Sequence, residues 1–189
     1  MKYFVMEGEG VYPVHPIRIE PDLPGGPWYH GQKLRISVPV PLEYELAKNY
    51  GANCKVKAMY GSKAIPVMHN TLVNVLLSAG VNNLELFPAR ILNPVTGAVH
   101  EDYQAFNVVG LVAAADLESS TLMDPDAEPS VLDTDFESLV IDEQKAHGFH
   151  LFRLAENCGA ICVSEQVKKA VEKSGIPGII FYGPGEWSG

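Results

Sequence analysis

The sequence predicts an α+β fold: a largely antiparallel sheet with two main amphipathic helices packed on it, at residues 67–80 and 164–175. Two apolar patterns of helical period, separated by runs of β-branched and aromatic residues, lead to this class. Hydrophobic residues make up 47% of the chain and charged residues 20%, which is the composition of a folded globular protein. The length of 189 residues suits one domain over residues 1–189.

Each predicted helix has an apolar face and a glycine at its end. In the first, apolar residues recur from Val67 to Ala79 at three- and four-residue spacing, and Gly80 follows as a C′ residue. In the second, Ser164 is suited to cap the free N–H groups of the first turn, and Gly175 ends the helix. Its lysines lie in the middle and last turns, where they suit the helix dipole.

The predicted strands are short apolar or alternating runs bounded by turn residues. The longest two, 84–92 and 103–115, are joined by an Asn93–Gly97 turn and are expected to be antiparallel neighbours. Further strands are predicted at 2–6, 136–143, 150–154, 161–163 and 178–182.

Three segments carry weaker signals. Residues 8–41 hold repeated prolines and glycines, which favour a loop with one edge strand at 34–38. The sequence does not indicate the role of this segment. A short helix is predicted within 41–50. The Gly-rich tail 183–189 is predicted to be flexible apart from Trp187.

Two parts of the chain match each other at a constant offset of 95 residues. Gly80 aligns with Gly175, and Leu84, Leu86 and Phe87 align with Ile179, Phe181 and Tyr182. Each part reads as an amphipathic helix, a glycine, a short turn and a strand, so that the helix folds back over the strand that follows it. A chance likeness between two helix–glycine–strand connections is the alternative.

Charge is concentrated in the middle of the chain. The formal net charge is −9, which disfavours non-specific binding to nucleic acid. Between Ile91 and Gln144 there are twelve acidic residues and no lysine or arginine, whereas the rest carries 14 basic and 11 acidic residues, a balance of +3. The acids are either a solvated face or a surface for a basic partner. The candidate partner contacts are Asp116, Glu118, Asp124, Asp126, Glu128, Asp133, Asp135, Glu137, Asp142 and Glu143.

Metal binding is a minor alternative at two places. A calcium loop at Asp124-Pro125-Asp126 lacks the glycine and the terminal glutamate such a loop needs. The zinc-type spacing of His147, His150, Cys158 and Cys162 lies in apolar or uncharged surroundings, so ordinary core and surface roles are favoured. No metal or cofactor is therefore predicted, and Cys54, Cys158 and Cys162 are expected to be free thiols.

The sequence shows no common catalytic signature. It lacks a phosphate-binding Gly-Lys-Ser/Thr loop, a G-x-G-x-x-G turn, a G-x-S-x-G elbow, an H-E-x-x-H helix and paired C-x-x-C motifs. This favours a non-enzyme that binds another protein. The alternatives are a small-molecule-binding protein or enzyme with an unrecognised pocket near Trp28, Tyr29 and His30, and an accessory protein that binds its own kind.

The N-terminus lacks a signal peptide, and no apolar run approaches the roughly 20 residues that span a bilayer. A cytoplasmic location without membrane contact is therefore expected. Sequence alone leaves the oligomeric state open.

An ordered series of segments resembles a bacterial family of immunity proteins. Residues 78–89 are similar to its "G-x-x-N-x-x-x-F-P" centre, and 103–110 to its "Y-x-x-x-N-x-x" strand. Residues 151–154, 163–165 and 175–181 are similar to its C-terminal third. The family, formerly a domain of unknown function, is described as the eleventh immunity family of polymorphic toxin systems.

The resemblance implies that the chain binds and silences a co-encoded toxin and carries no catalytic residues. Together with the expected cytoplasmic location, it points to a toxin that acts in the cytoplasm, such as a nuclease, deaminase or nucleotide-directed enzyme. Segment 8–41 has no counterpart in the resemblance.

Overall fold

A computed structural model describes residues 1–10, 15–16, 26–47, 55–61, 65–130 and 132–189. Within these residues the chain forms two α-helices and three β-sheets, which confirms the predicted α+β class. No helix in the described part is long and apolar enough to cross a membrane.

The larger sheet has six strands and contains the predicted central pair. Strand β6 (Leu84–Leu92) runs antiparallel to β7 (Val99–Val108), as expected from the turn between them. The sheet order is β2-β3-β6-β7-β5-β4. The remaining strands are β2 (His15–Pro16), β3 (Leu42–Glu45), β4 (Met59–Tyr60) and β5 (Val67–His69).

The second sheet has five strands in the order β13-β1-β12-β11-β8, and a third sheet has two, β9 and β10. Most pairs of the second sheet are antiparallel, but β8 and β11 are parallel. The strands are β1 (Tyr3–Gly8), β8 (Leu111–Val112), β9 (Thr121–Leu122), β10 (Phe136–Ser138), β11 (Leu151–Leu154), β12 (Ile161–Ser164) and β13 (Ile179–Tyr182).

Helix α1 spans Asn70–Ser78, shorter than the predicted 67–80. Its first three predicted residues form β5 instead, because their backbone pairs with β7 and takes up the hydrogen bonds a helix would use. The His69 side chain caps the helix by accepting from the Thr71 N–H. Gly80 follows with φ of 95°, as expected for a glycine that ends a helix.

Helix α2 spans Glu165–Ser174 and confirms the predicted helix 164–175. The Ser164 hydroxyl accepts from the Val167 N–H at 3.4 Å, and Gly175 adopts the left-handed conformation with φ of 69°. Val167 and Val171 are the buried residues of the helix.

Replacing Ser164 with alanine is expected to lower the free energy of unfolding by about 1 kcal/mol, because it leaves an N–H of the first turn without a partner. Urea denaturation measures the change. Ser164→Thr keeps a hydroxyl and is the control; equal losses from both variants would contradict a capping role.

The two units related by the offset of 95 residues share more than a helix and a strand. Each is a strand–helix–strand unit, β5–α1–β6 and β12–α2–β13, and each has an antiparallel strand between its two strands. That inserted strand is β7 in the first unit and β1 in the second. Residues of both helices lie in one hydrophobic cluster with residues of both sheets, so the repeat builds the main core.

Two predictions for the N-terminal part are wrong. Residues 34–38 form no strand, and the predicted helix within 41–50 is replaced in its first half by β3, while residues 48–50 lie outside the described part. In β3 the alternate residues Leu42 and Tyr44 are buried, and the strand pairs in parallel with β6. Burial of this alternating face favours the strand over a short helix.

The Gly-rich tail differs from the flexible segment that the sequence predicts. Gly189 and Phe136 exchange two backbone hydrogen bonds, of 2.7 and 3.0 Å, and the Leu139 N–H donates to the Trp187 carbonyl. The Trp187 ring is 4% exposed, and its Nε1 donates to Glu7 Oε1 at 2.6 Å. Through these hydrogen bonds the tail lies along β10 and the residue that follows it.

Candidate partner-binding surface

Residues 116–143, which we call the acidic hairpin, contain all ten of the acids predicted to contact a partner. Strands β9 and β10 pair antiparallel, and the Met123 N–H donates to the Asp135 carbonyl at 3.0 Å just beyond them. Between these two residues, the Leu132 and Thr134 N–H groups donate to the Ala155 and Glu156 carbonyls at 2.6 and 2.9 Å, which binds this part of the hairpin to the body.

The base of the hairpin is fastened to the body by backbone hydrogen bonds. Ala115 and Ile141 form an antiparallel bridge, and the Asp116 N–H donates to the Val140 carbonyl at 2.9 Å. The Ser120 hydroxyl accepts from the Val140 N–H at 2.9 Å, which closes the turn after Asp116. The base of the hairpin is therefore tied to itself and to the segment that follows β8.

Four apolar side chains of the hairpin pack inward. Phe136 and Leu139 are buried in a cluster with Trp187, and Leu122 and Ile141 pack against it. The outer surface carries most of the acids together with three exposed apolar side chains, Leu117, Met123 and Leu132. Asp116 and Asp142 are half-buried, and the other eight are exposed, namely Glu118, Asp124, Asp126, Glu128, Asp133, Asp135, Glu137 and Glu143.

Little positive charge neutralises this surface. Glu143 pairs with the N-terminal ammonium of Met1 at 2.7 Å, and Asp142 with Lys145 at 3.7 Å. The other eight acids, Asp116 included, have no ion pair with any described residue. The hairpin therefore presents a negative potential to solvent, to which a positively charged surface is complementary.

Asp116 holds the turn at the start of the hairpin. Its carboxylate accepts the backbone N–H groups of Glu118 and Ser119, both at 3.2 Å. Hydrogen bonds from the Ser119 hydroxyl and backbone hold the pKa of Asp116 below its ordinary value of 3.8.

We expect Asp116 to titrate below pH 3.8 in the folded protein, measured by NMR of its carboxyl carbon. Because the folded-state pKa is lowered, the ionised carboxylate stabilises the fold above its unfolded-state pKa, and this contribution is lost as the pH falls. Ser119→Ala should move the midpoint upward. A wild-type midpoint at or above 3.8 would contradict the hydrogen bonding described.

The weak zinc candidates do not meet. His147 is exposed, the His150 ring lies 3.1 Å from the Ser164 hydroxyl, and Cys158 is half-buried. Cys162 is fully buried, and burial raises the pKa of its thiol, which opposes the thiolate that zinc needs. In the described part of the chain no three His, Cys, Asp or Glu side chains are grouped as metal ligands. Cys54 lies outside the described residues.

The aromatic residues considered for a small-molecule pocket do not converge on one. Trp28 is fully buried, with its ring 5.2 Å from that of Phe87, and His30 is exposed. Tyr29 is half-buried beneath the Arg153 guanidinium, which lies 4.4 Å from its ring centroid. Two cavities of about 440 Å³ lie elsewhere, one between α1 and α2 and one beside it near His69 and Tyr103.

Arg153 is a buried cation that the sequence pattern does not predict. It sits in the apolar strand β11 and is 1% exposed, and burial lowers the pKa of its guanidinium. Nη1 donates to the Cys158 carbonyl at 2.7 Å, whereas Nε and Nη2 lack a partner among the described residues. The stacking on Tyr29 fixes the segment that carries Trp28 against β11.

These observations describe an α+β protein with a hairpin in which eight of the ten acids have no ion pair with a described residue. The chain belongs to the immunity protein family Imm11, whose sequence model matches residues 77–185, more than half of the chain. The matched range includes the acidic hairpin, α2 and β13. A comparison with curated proteins finds no match.

Proposed function

We propose that this chain is the immunity protein of a polymorphic toxin system and that it neutralises a cognate toxin in the cytoplasm by binding it through the acidic hairpin. Membership of the immunity family supports the class of function. The observation that carries the choice of surface is the set of eight acids without an ion pair among the described residues.

The charge of the hairpin suits a toxin that acts on nucleic acid. Such an enzyme needs a basic surface to hold a phosphate backbone, and an acidic hairpin complements that surface. Complementary charge also accelerates association, which matters for a protein that must bind its toxin before the toxin acts. Binding there would block access of the substrate to the toxin.

A binding role in place of catalysis is supported by the family and by the lack of common catalytic motifs in the sequence. The aromatic residues near Trp28 lend no support to the alternative of a small-molecule pocket, because they lie in three different environments. We therefore propose one function.

The first experiment is a pull-down from the native host with this chain as bait, examined for the proteins encoded beside it. Recovery of a toxin whose killing is suppressed when this chain is co-expressed supports the proposal. Recovery of the bait alone, with no protection against the neighbouring gene products, would overturn it.

The hairpin is then tested by charge removal. The variant Asp126→Asn/Glu128→Gln/Asp133→Asn/Asp135→Asn is expected to slow association with the captured toxin about tenfold at low salt, because it weakens electrostatic steering. Its association rate should also depend less on ionic strength. Stopped-flow or surface-binding kinetics at several salt concentrations measure both effects.

A matched pair of variants separates the position of the charge from the net charge. Glu128→Gln/Asp133→Asn removes two acids from the hairpin, and Glu9→Gln/Glu101→Gln removes two exposed acids outside it. We expect the hairpin pair to slow association more. Equal effects of the two pairs would mean that the association rate depends on the net charge of the protein and not on the position of the acids in the hairpin.

A further inference from the structure

The last strand, β13, lies at one edge of the five-stranded sheet. It pairs antiparallel with β1, in the register Glu7↔Ile180 and Gly8↔Ile179. No described strand pairs with its other side. Of the other described edge strands, β2, β4, β8 and β9 are two residues long and β10 has three, whereas β13 has four.

Residue pairs between β1 and β13 are alternately hydrogen-bonded and not hydrogen-bonded. This alternation shows which backbone groups of β13 have no partner in β1. The Glu9 N–H donates to the Gly178 carbonyl at 2.7 Å, so that pair is of the hydrogen-bonded kind. Since hydrogen-bonded and non-hydrogen-bonded pairs alternate, Glu7 and Ile180 are bonded to each other, whereas Ile179 and Phe181 direct their N–H and C=O groups away from β1.

Within β13 itself the edge carries none of the residues that usually prevent strand addition. The sequence Ile179-Ile180-Phe181-Tyr182 contains no charge and no proline, and Ile180 is 36% exposed. Pro177 and Pro184 flank the strand, and Lys168 Nζ lies 5.7 Å from the Phe181 ring centroid. Exposed edges are normally protected by lysine, proline, a bulge or a covering segment. An open apolar edge is the template that β-strand addition uses.

A groove runs beside the same edge. Its volume is about 350 Å³, and Val171 and Ile176 line it together with three residues of β13. Lys168 and Glu172 of α2 lie on its wall. A strand added to β13 would place alternate side chains in this groove.

We infer that β13 is a docking edge to which the toxin adds a β-strand. The inference rests on the proposed function and specifies how the toxin is held. Three residues after β13, the Gly185 N–H donates to the Leu139 carbonyl of the acidic hairpin at 2.8 Å, so the strand ends beside the hairpin. A basic partner can therefore contact both, whereas a second copy of this chain also carries a net charge of −9 and would be repelled.

Amide hydrogen exchange tests the inference residue by residue. In the free protein the amides of Ile179 and Phe181 should exchange fast, while those of Ile180 and Tyr182 are already protected. With the captured toxin in hundredfold excess over its Kd, exchange at Ile179 and Phe181 should slow about 100-fold. NMR exchange rates measured with and without the toxin give the comparison.

The outcomes are distinct. If the toxin is captured but Ile179 and Phe181 exchange as in the free protein, strand addition is wrong and the proposed function stands. Protection that appears without toxin and grows with protein concentration would identify a second copy as the occupant and also overturn the inference. If no toxin is captured, the proposed function and this inference fail together.

A pair of substitutions gives a second measurement. Ile179→Pro removes one outward N–H at the first residue of an edge strand, a position where proline is tolerated, and Ile179→Ala removes the same side chain but keeps the N–H. We expect the proline variant to bind the toxin about tenfold more weakly than the alanine variant. Equal affinities would contradict strand addition, provided that urea denaturation shows both variants to be folded.

Discussion

Replacing Trp187 with alanine is expected to lower the free energy of unfolding by about 3–5 kcal/mol, the usual cost of truncating a buried aromatic side chain to alanine. The ring is 4% exposed in the cluster beneath the acidic hairpin, and Nε1 donates to Glu7 Oε1 at 2.6 Å. Urea denaturation with a constant m-value measures the loss.

Trp187→Phe is the matched control, because it keeps an aromatic ring and removes the hydrogen bond to the Glu7 carboxylate. Its loss should be smaller, about 1.5–3 kcal/mol, as for a hydrogen bond to a charged group. A loss below about 1 kcal/mol for the alanine variant would show that the tail does not anchor the hairpin.

Replacing Trp28 with alanine should cost a similar amount, about 3–5 kcal/mol, because the ring is fully buried against Phe87. Trp28→Phe should cost less than the alanine variant, since it keeps a ring in the cluster and removes an indole N–H that lacks a partner among the described residues. A negligible loss from the alanine variant would contradict the anchoring of this segment by Trp28.

The two phenylalanine variants also test whether the chain is one cooperative domain. The sequence has two tryptophans, and they lie in different hydrophobic clusters, so each variant leaves a single tryptophan whose fluorescence, excited at about 295 nm to avoid the tyrosines, reports on one cluster. Each fluorescence transition should coincide with the loss of circular dichroism in the same variant. Separate transitions would indicate two folding units.

Much of the second half of the chain could be predicted from the sequence. Helix α2 has a capping serine and a terminal glycine, and its few apolar residues lie on one face, so local signals agree with tertiary packing. The antiparallel pairing of β6 with β7 was likewise predictable, because strand-like runs flank a turn. The predicted strand 103–115 is nevertheless divided between β7 and β8, which lie in different sheets. The outward position of Asp135 and Glu137 follows from their alternation with Phe136, whereas Leu139 reaches the same cluster only because the strand register shifts between Phe136 and Ser138.

The errors lie where tertiary contacts override local preference. Val67 and Met68 continue the apolar period of α1, yet pairing with β7 makes them a strand. The error at 42–45 is of another kind: apolar and acidic residues alternate there, which is a strand signal, and parallel pairing with β6 buries Leu42 and Tyr44. The tail 183–189 reads as flexible by composition, whereas its backbone hydrogen bonds to residues 136–139 depend on contacts between distant segments.

The sequence by itself determined the fold class, the two helix termini marked by glycine, the concentration of negative charge and the resemblance to an immunity family. These follow from periodicity, composition and residue order, which are local properties. Only the tertiary structure decided which acids lack ion pairs, that Arg153 is buried, and that Ile179 and Phe181 present a free edge. Those depend on which distant segments pair, because ion pairing, burial and hydrogen-bond parity are relations between elements far apart in the chain.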